Sequence, residues 1–234
     1  MEKIFQRTAK LIGQDNIEIL KNSSVAVIGL GGVGSFAVEA LCRSGVGHIL
    51  IVDSDQVEET NLNRQLPALI STIGQYKTDV IHQRLLDINP HLKITKYTTR
   101  LSEDNQAEIL ANHFDYVVDA IDSVADKISL IKYCITQEIP IVSSMGAANR
   151  MDPTKLKIDD IKNTSICPLA KKVRKDLRNH DIYEGVKVVY SLEPPFKTDY
   201  DGDTRLGSIS FVPASAGLLL ASVVIRDLIR VIPH

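Results

Sequence analysis

Short β-branched runs alternate with stretches of helical periodicity from residue 25 to residue 144. Residues 25–28 form a compact apolar run that leads straight into Gly29-Leu30-Gly31-Gly32-Val33-Gly34, after which Val33, Ala37, Ala40 and Leu41 recur at helical spacing. A second β-like run, residues 48–52, ends in Asp53. Val80, Ile81, Leu85 and Ile88 predict a helix over about 75–88, and the alternation of 93–98 predicts a third strand. A short helix over 103–112, a strand over 116–119, a helix over 124–137 and a strand over 140–144 complete the series. Such β-α alternation implies an α/β fold: a Rossmann-like, doubly wound, mostly parallel sheet with flanking helices.

Both ends of the chain depart from this rhythm. In residues 1–21, Ile4, Phe5, Leu11, Ile12, Ile17 and Leu20 are interrupted at Gly13, which predicts two short helices before the first strand. Arg7 lies on the first of them, and its spacing alone reads as a surface charge. The C-terminal third is punctuated by Pro153, Pro168 and the Pro194-Pro195 pair. It is expected to hold strands over 186–192 and 209–212 and a closing helix over 214–231. Asp199, Asp201 and Asp203 are spaced like a calcium loop, but the glycine is misplaced and Ser210 stands where a bidentate glutamate belongs, so calcium is discounted.

Composition narrows the function without naming it. A net charge of -2 with 24% charged residues excludes a generic polyanion binder, so any nucleic-acid surface must be a local patch. Cys42, Cys134 and Cys167 are few and scattered, form no paired C-x-x-C, and fit a reducing cytoplasm. The N-terminus lacks a signal-peptide core, and the apolar run 214–225 looks well short of a membrane span, so a cytoplasmic, soluble protein is expected.

The chemistry gathers at the predicted strand ends. Glycines before a helix N-terminus let the backbone approach a phosphate, and an acid closing the next strand suits a ribose hydroxyl. NAD and ATP sites both use this arrangement. After Asp53, a polar loop carries Asp55, Thr60, Asn61, Asn63, Arg64 and Gln65 at the position that lines the crevice of open α/β sheets. Lys77 shares the apolar stripe of its helix with Ile81, Leu85 and Ile88, so it needs either an anion or a snorkelling path to solvent. Asp122, just past the fourth strand, could cap the following helix or hold Mg²⁺ against nucleotide phosphates. Between 162 and 178, Leu169, Val173 and Leu177 form one stripe while Lys171, Arg174, Lys175 and Arg178 fall opposite, either as a phosphate-backbone contact or as a solvated face.

GLGGVG, IVDSD, NLNRQ, GQYKTD, INP and VVDAIDS, in that order, resemble the ThiF/MoeB/HesA group of adenylating enzymes in the ubiquitin-activating superfamily. RTAKLIG, RSGVGHILIVDSDQV, VDAIDSVADKISLIKYC and DPTKLKIDDIKNTSICPLAKKVRKDL extend the likeness to the tRNA threonylcarbamoyladenosine dehydratases over most of the chain. The resemblance implies one ThiF-type adenylation domain over 1–234, with N-terminal helices (1–21), a nucleotide-binding core (22–150) and a substrate and dimer region (151–234).

It implies that Gly29, Gly31, Gly32, Gly34, Asp53, Asp55, Thr60, Asn61, Asn63 and Ser123 bind the nucleotide, with Arg64 and Lys77 on the triphosphate and Asp122 on Mg²⁺. Arg7 matches a family arginine that crosses a twofold dimer into the partner's site. With ATP and Mg²⁺, the threonyl carboxylate on a tRNA adenosine becomes an acyl-adenylate, and an internal nucleophile closes a ring and expels AMP. No enzyme thiol is required. Implied partners are tRNA, held by Lys171, Arg174, Lys175 and Arg178, a second copy of the chain, and a sulfurtransferase-type accessory protein. The alternatives are a sulfur-carrier protein adenylyltransferase, whose relatives typically carry two C-x-x-C pairs, and an NAD-dependent dehydrogenase or nucleotide-sensing module, which leaves Arg64, Lys77 and Asp122 without a purpose.

Overall fold

The computed structural model describes residues 3–196 and 206–230. Seven strands form one sheet: β1 (Ser24–Ile28), β2 (His48–Val52), β3 (Lys93–Tyr97), β4 (Tyr116–Asp119), β5 (Ile141–Ser144), β6 (Leu156–Asp160) and β7 (Lys187–Ser191). Their spatial order is β3-β2-β1-β4-β5-β7-β6. Every neighbouring pair is parallel except β6 with β7, which is antiparallel. The chain winds outward from β1 to β3 and then returns to lay β4 on the other side of β1. That reversal opens a crevice at the carboxyl ends of β1 and β4, where such sheets bind ligands.

Both faces are covered, so the central strands read as continuous apolar runs. Val25, Val27, Ile49 and Ile51 pack against α3 (Gly34–Ser44), α4 (Lys77–Ile88) and α8 (Phe211–Leu228). Ala26, Ile28, Leu50 and Val52 face the opposite layer, made by α5 (Gln106–Ile109), α6 (Val124–Thr136) and α7 (Pro168–Arg178). Two further helices, α1 (Gln6–Ile12) and α2 (Gln14–Asn22), precede β1. The α/β, doubly wound, mostly parallel architecture expected from the alternation is present.

Four details depart from expectation. The helix expected over 103–112 shrinks to α5, since Asn105 caps it and accepts the Ser102 N–H instead of continuing a helix before it. Residues 209–212 are not a strand: α8 begins at Phe211, with Pro213 in its first turn, where a missing N–H costs nothing. At 18 residues α8 is long and apolar enough to cross a membrane, longer than the run 214–225 suggested. It packs instead on α3, β4, β5 and β7, with Val212, Ala216, Leu220 and Val224 in the core. Strand β6 was not expected, because an exposed edge strand needs only Leu156 and Ile158 half-buried among polar neighbours. The Asp199-Asp201-Asp203 motif and the end of the expected closing helix lie outside the described residues.

Candidate functional site

The glycine turn 29–34 sits at the crevice, and its glycines divide by what surrounds them. Gly29 has φ +91, and a Cβ there would lie 2.7 Å from the Ala120 carbonyl oxygen. A Cβ on Gly34 would lie 1.8 Å from the Gly29 oxygen. These two glycines serve the close approach of β1, β4 and α3. Gly31 is different: the nearest heavy atom to its Cβ position is Gln65 Nε2 at 4.0 Å, so its small size leaves room beside the turn. Gln65 Oε1 is buried there with no hydrogen-bond partner, an acceptor that awaits a donor. At α3's start, Val33 provides no side-chain cap, which leaves the dipole end and its N–H groups facing the crevice.

Asp53 follows β2 and receives the Leu30 N–H at 2.6 Å and the Asp55 N–H at 2.8 Å, so it braces the turn. Burial pushes the Asp53 carboxyl up, against the charge of Lys77 and those two backbone bonds. Lys77 donates to Asp55 Oδ2 at 2.8 Å, and the Lys77 side chain is 5% exposed where Asp55 is 63% exposed. Burial opposes ionisation of Asp55, yet the Lys77 hydrogen bond and charge hold its carboxyl below the usual range. The lysine on the inward stripe of α4 therefore has its anion, and the pair faces solvent through the aspartate.

The loop between carries the rest. Arg64 lies against the turn: a Cβ on Gly32 would be 3.4 Å from Arg64 Cγ and 3.3 Å from Pro213 Cβ. Arg64 Nη1 donates to the Thr60 carbonyl at 2.8 Å and to Asn63 Oδ1 at 2.9 Å, with no carboxylate partner among the described residues. Asn63 in turn donates to the Ser208 carbonyl at 3.0 Å. Asn61 is buried and its Oδ1 accepts the Glu58 N–H at 3.2 Å, so it shapes the loop that presents Arg64.

At the end of β4, Asp119 accepts from Lys127 at 2.7 Å, from Ser143 at 2.5 Å and from the Ile121 N–H at 3.0 Å. This sealed network, which sequence reading missed, anchors the start of the loop that carries Asp122. The only hint was a lysine among Val124, Ile128 and Ile131 on α6. Asp122 itself is exposed and makes no hydrogen bond or ion pair among the described residues. It is not the cap of α6; Ser123 occupies that position, and its Oγ accepts from Arg100 at 3.3 Å. An unengaged carboxylate suits Mg²⁺, which takes one or two carboxylates and fills its remaining positions with water and phosphate oxygens. No group of three or more His, Cys, Asp or Glu that could hold a metal alone occurs among the described residues.

The structure thus gathers Arg64, the Lys77–Asp55 pair, Asp53 and the Asp122 loop around residues 29–34. It does not bring Arg7 there. Phe5, two residues before Arg7, packs its ring against Gly45, at the end of α3 opposite the glycine turn. Arg7 is exposed on α1, a helix with no buried residue, on which Leu11 is 85% exposed. The basic helix departs from expectation in one position. Lys171, Lys175 and Arg178 are exposed, joined by Lys172, but Arg174 turns back to donate to the Thr164 carbonyl at 2.8 Å and to Thr164 Oγ1. All three cysteines are buried, and burial pushes the Cys42 thiol to about 11 and the Cys134 thiol to about 12.

The ThiF family matches residues 5–233 of the chain. The chain is 45% identical over 240 residues to the tRNA threonylcarbamoyladenosine dehydratase of Bacillus subtilis, covering 97% of this chain and 94% of that protein. The structure superposes on the Escherichia coli tRNA N6-threonylcarbamoyladenosine dehydratase in complex with AMP at a TM-score of 0.93 and 35% identity, covering 97% of this chain and 94% of the other. The same enzyme in complex with ATP gives 0.92 with the same identity and coverage. A glycine turn ringed by two cations and an unengaged acid, in a fold shared along nearly its whole length, leads to one conclusion: this chain belongs to the ThiF family.

Proposed function

We propose that the protein is an ATP-dependent tRNA threonylcarbamoyladenosine dehydratase, which cyclises the threonylcarbamoyl group of a modified tRNA adenosine. The observation that carries this reading is the clustering of Arg64, buried Lys77 and unengaged Asp122 on the Gly29–Gly34 turn, in a chain whose relatives carry that name.

A threonyl carboxylate oxygen attacks the α-phosphorus of ATP; the bond from that phosphorus to the β-phosphate oxygen breaks, and pyrophosphate leaves with the electron pair. Two anions must meet for this to happen, and the site answers with positive charge. The glycine-turn N–H groups and the α3 dipole face the phosphates, and Gln65 Oε1 is free to accept from the nucleotide. Arg64, whose present partners are neutral oxygens, turns its remaining N–H groups to the triphosphate. Lys77 exchanges or shares Asp55 for a phosphate oxygen.

Asp122 would hold Mg²⁺, which supplies charge neutralisation between phosphate oxygens when bound. A nucleophile within the threonylcarbamoyl group then attacks the activated carbonyl, the carbon–oxygen bond to AMP breaks, and a proton is released. The buried, protonated cysteines fit a route without an enzyme thioester.

The remaining assignments follow from position. Helix α1 exposes its apolar Leu11 and the Arg7 cation, which suits an arm that completes the site of a second copy in a homodimer. Lys171, Lys175 and Arg178 contact the tRNA backbone, with Arg174 fastening the helix to Thr164. The protein acts in the cytoplasm, and α8 serves as a core helix there.

Asp122→Ala tests the reading. It is expected to lower the release of AMP and pyrophosphate from ATP and modified tRNA by 10²-fold or more, on the order of one lost electrostatic contact, with an unchanged circular dichroism spectrum. Full activity in that variant removes Asp122 from the mechanism. Release driven by a small protein ending in Gly-Gly, and not by tRNA, would establish the sulfur-carrier alternative.

A further inference from the structure

Three cationic side chains are buried among the described residues: Lys77, Lys127 and Arg150. Lys77 is answered by Asp55 and Lys127 by Asp119. Arg150, 3% exposed, is answered by no carboxylate among the described residues. Its Nε is buried without any hydrogen-bond partner, and its Nη1 makes a single long contact, 3.5 Å, to the Asn149 carbonyl. A guanidinium largely withdrawn from water and unpaired among the described residues is costly, and an anion arriving from outside would offset that cost.

The neighbouring residue points the same way. Asn149 has φ +54, a left-handed conformation that costs a non-glycine residue energy, and its Oδ1 is also buried with no partner. Strain and unmet polar groups on adjacent residues mark a place prepared for a ligand. The two sit on the loop leaving the carboxyl end of β5, the strand beside β4, whose end carries Asp122.

This loop is tied to the phosphate side of the crevice. Asn149 N donates to the Gly207 carbonyl at 2.8 Å, and the next carbonyl, Ser208, accepts from Asn63. The residue beside Arg64 and the residue beside Arg150 thus grip consecutive peptide units, whose Cα atoms lie about 3.8 Å apart. Two anion-binding loops face the two ends of one short bridge.

We infer that Arg150 is the residue that binds the carboxylate to be activated, with Asn149 accepting from the hydroxyl or ureido N–H of the same threonylcarbamoyl group. This rests on the dehydratase reading and adds to it the group that selects the acid. Arg64, Lys77 and the glycine turn take the triphosphate; Arg150 takes the second anion as a two-pronged partner, a geometry a guanidinium offers and an ammonium does not. Holding the carboxylate there before attack offsets its repulsion from the phosphates.

The test measures selectivity, which a purely structural arginine would not set. Anticodon stem-loop RNAs bearing threonylcarbamoyladenosine, or the same group with its carboxylate converted to the carboxamide, compete for the protein in the presence of a non-cleavable ATP analogue. The wild-type protein is expected to prefer the carboxylate by about tenfold or more. Arg150→Gln is expected to bring that preference close to unity while retaining affinity for the ATP analogue. A preference that survives Arg150→Gln overturns the inference.

A second measurement needs no variant. Hydrogen exchange of residues 145–151 in the wild-type protein is expected to slow with the carboxylate RNA and not with the carboxamide RNA. Equal protection by the two also overturns it. Failure of the wild-type protein to release AMP with modified tRNA would strike the dehydratase reading itself, an outcome separate from either of these.

Discussion

Two lysines are buried among the described residues, each against an aspartate, and they do opposite work. Lys127 and Asp119 are both fully enclosed, and Ser143 and the Ile121 N–H complete the aspartate's shell. Lys77 is as deeply buried along its stem, but Asp55 is mostly exposed and stands at the crevice mouth. A sealed pair can only hold elements together, here β4, β5 and α6. A pair open on its acidic side can trade its aspartate for another anion. Burial of a charge is therefore ambiguous until the exposure of its partner is known.

The largest test of this contrast is Lys127→Met. It leaves a carboxylate enclosed with only neutral donors, and a loss of about 3–5 kcal/mol in unfolding free energy is expected, the cost typical of breaking a buried pair. Urea denaturation followed by circular dichroism reads it; a change below about 1 kcal/mol would make the sealed pair dispensable. Lys77→Met should show the reverse balance. Asp55 is free to hydrate, so the urea midpoint should move little, while AMP release should fall by about 10²-fold. A variant that unfolds early and retains turnover per folded molecule would erase the distinction between the two lysines.

The smallest effect is on the acid limb. Asp55 and Glu39 are both held below their ordinary values: burial opposes each, and the cations outweigh it, Lys77 for Asp55 and Arg84 with Arg43 for Glu39. A lowered folded-state pKa contributes stability above the unfolded value and loses it as pH falls through the folded one. The Asp55 and Glu39 contributions are expected to be level above the ordinary glutamate value of 4.5 and to decline below it, offset in part by Asp53, whose raised carboxyl acts in the opposite direction. In Lys77→Met the Asp55 share of that decline should vanish, which a urea titration at descending pH would register.

What the sequence disclosed follows from how local each signal is. The glycine turn, Asp53 and the strands β1, β2 and β4 are written in adjacent residues, so pattern alone locates them. Arg64 and Lys77 stand out because their neighbours define a loop and a stripe. Arg174 could not be told from Lys171 on periodicity, since its inward turn depends on the Thr164 carbonyl, ten residues away on a separate element. Lys127 meets its partner only because α6 folds back over β4 and β5, which sequence spacing does not show, and Arg150 was invisible because its signal is a missing neighbour. The strand expected over 209–212 failed because four apolar-alternating residues suit a helix start equally well once Pro213 is allowed in the first turn.

The bridge at Gly207 and Ser208 has a consequence for fidelity. Because Asn149 and Asn63 hold successive carbonyls, a shift that seats one guest is transmitted to the socket of the other over a single peptide unit. If Arg150 holds the acid as proposed, the seating of fuel and of acceptor would be coupled through this bridge.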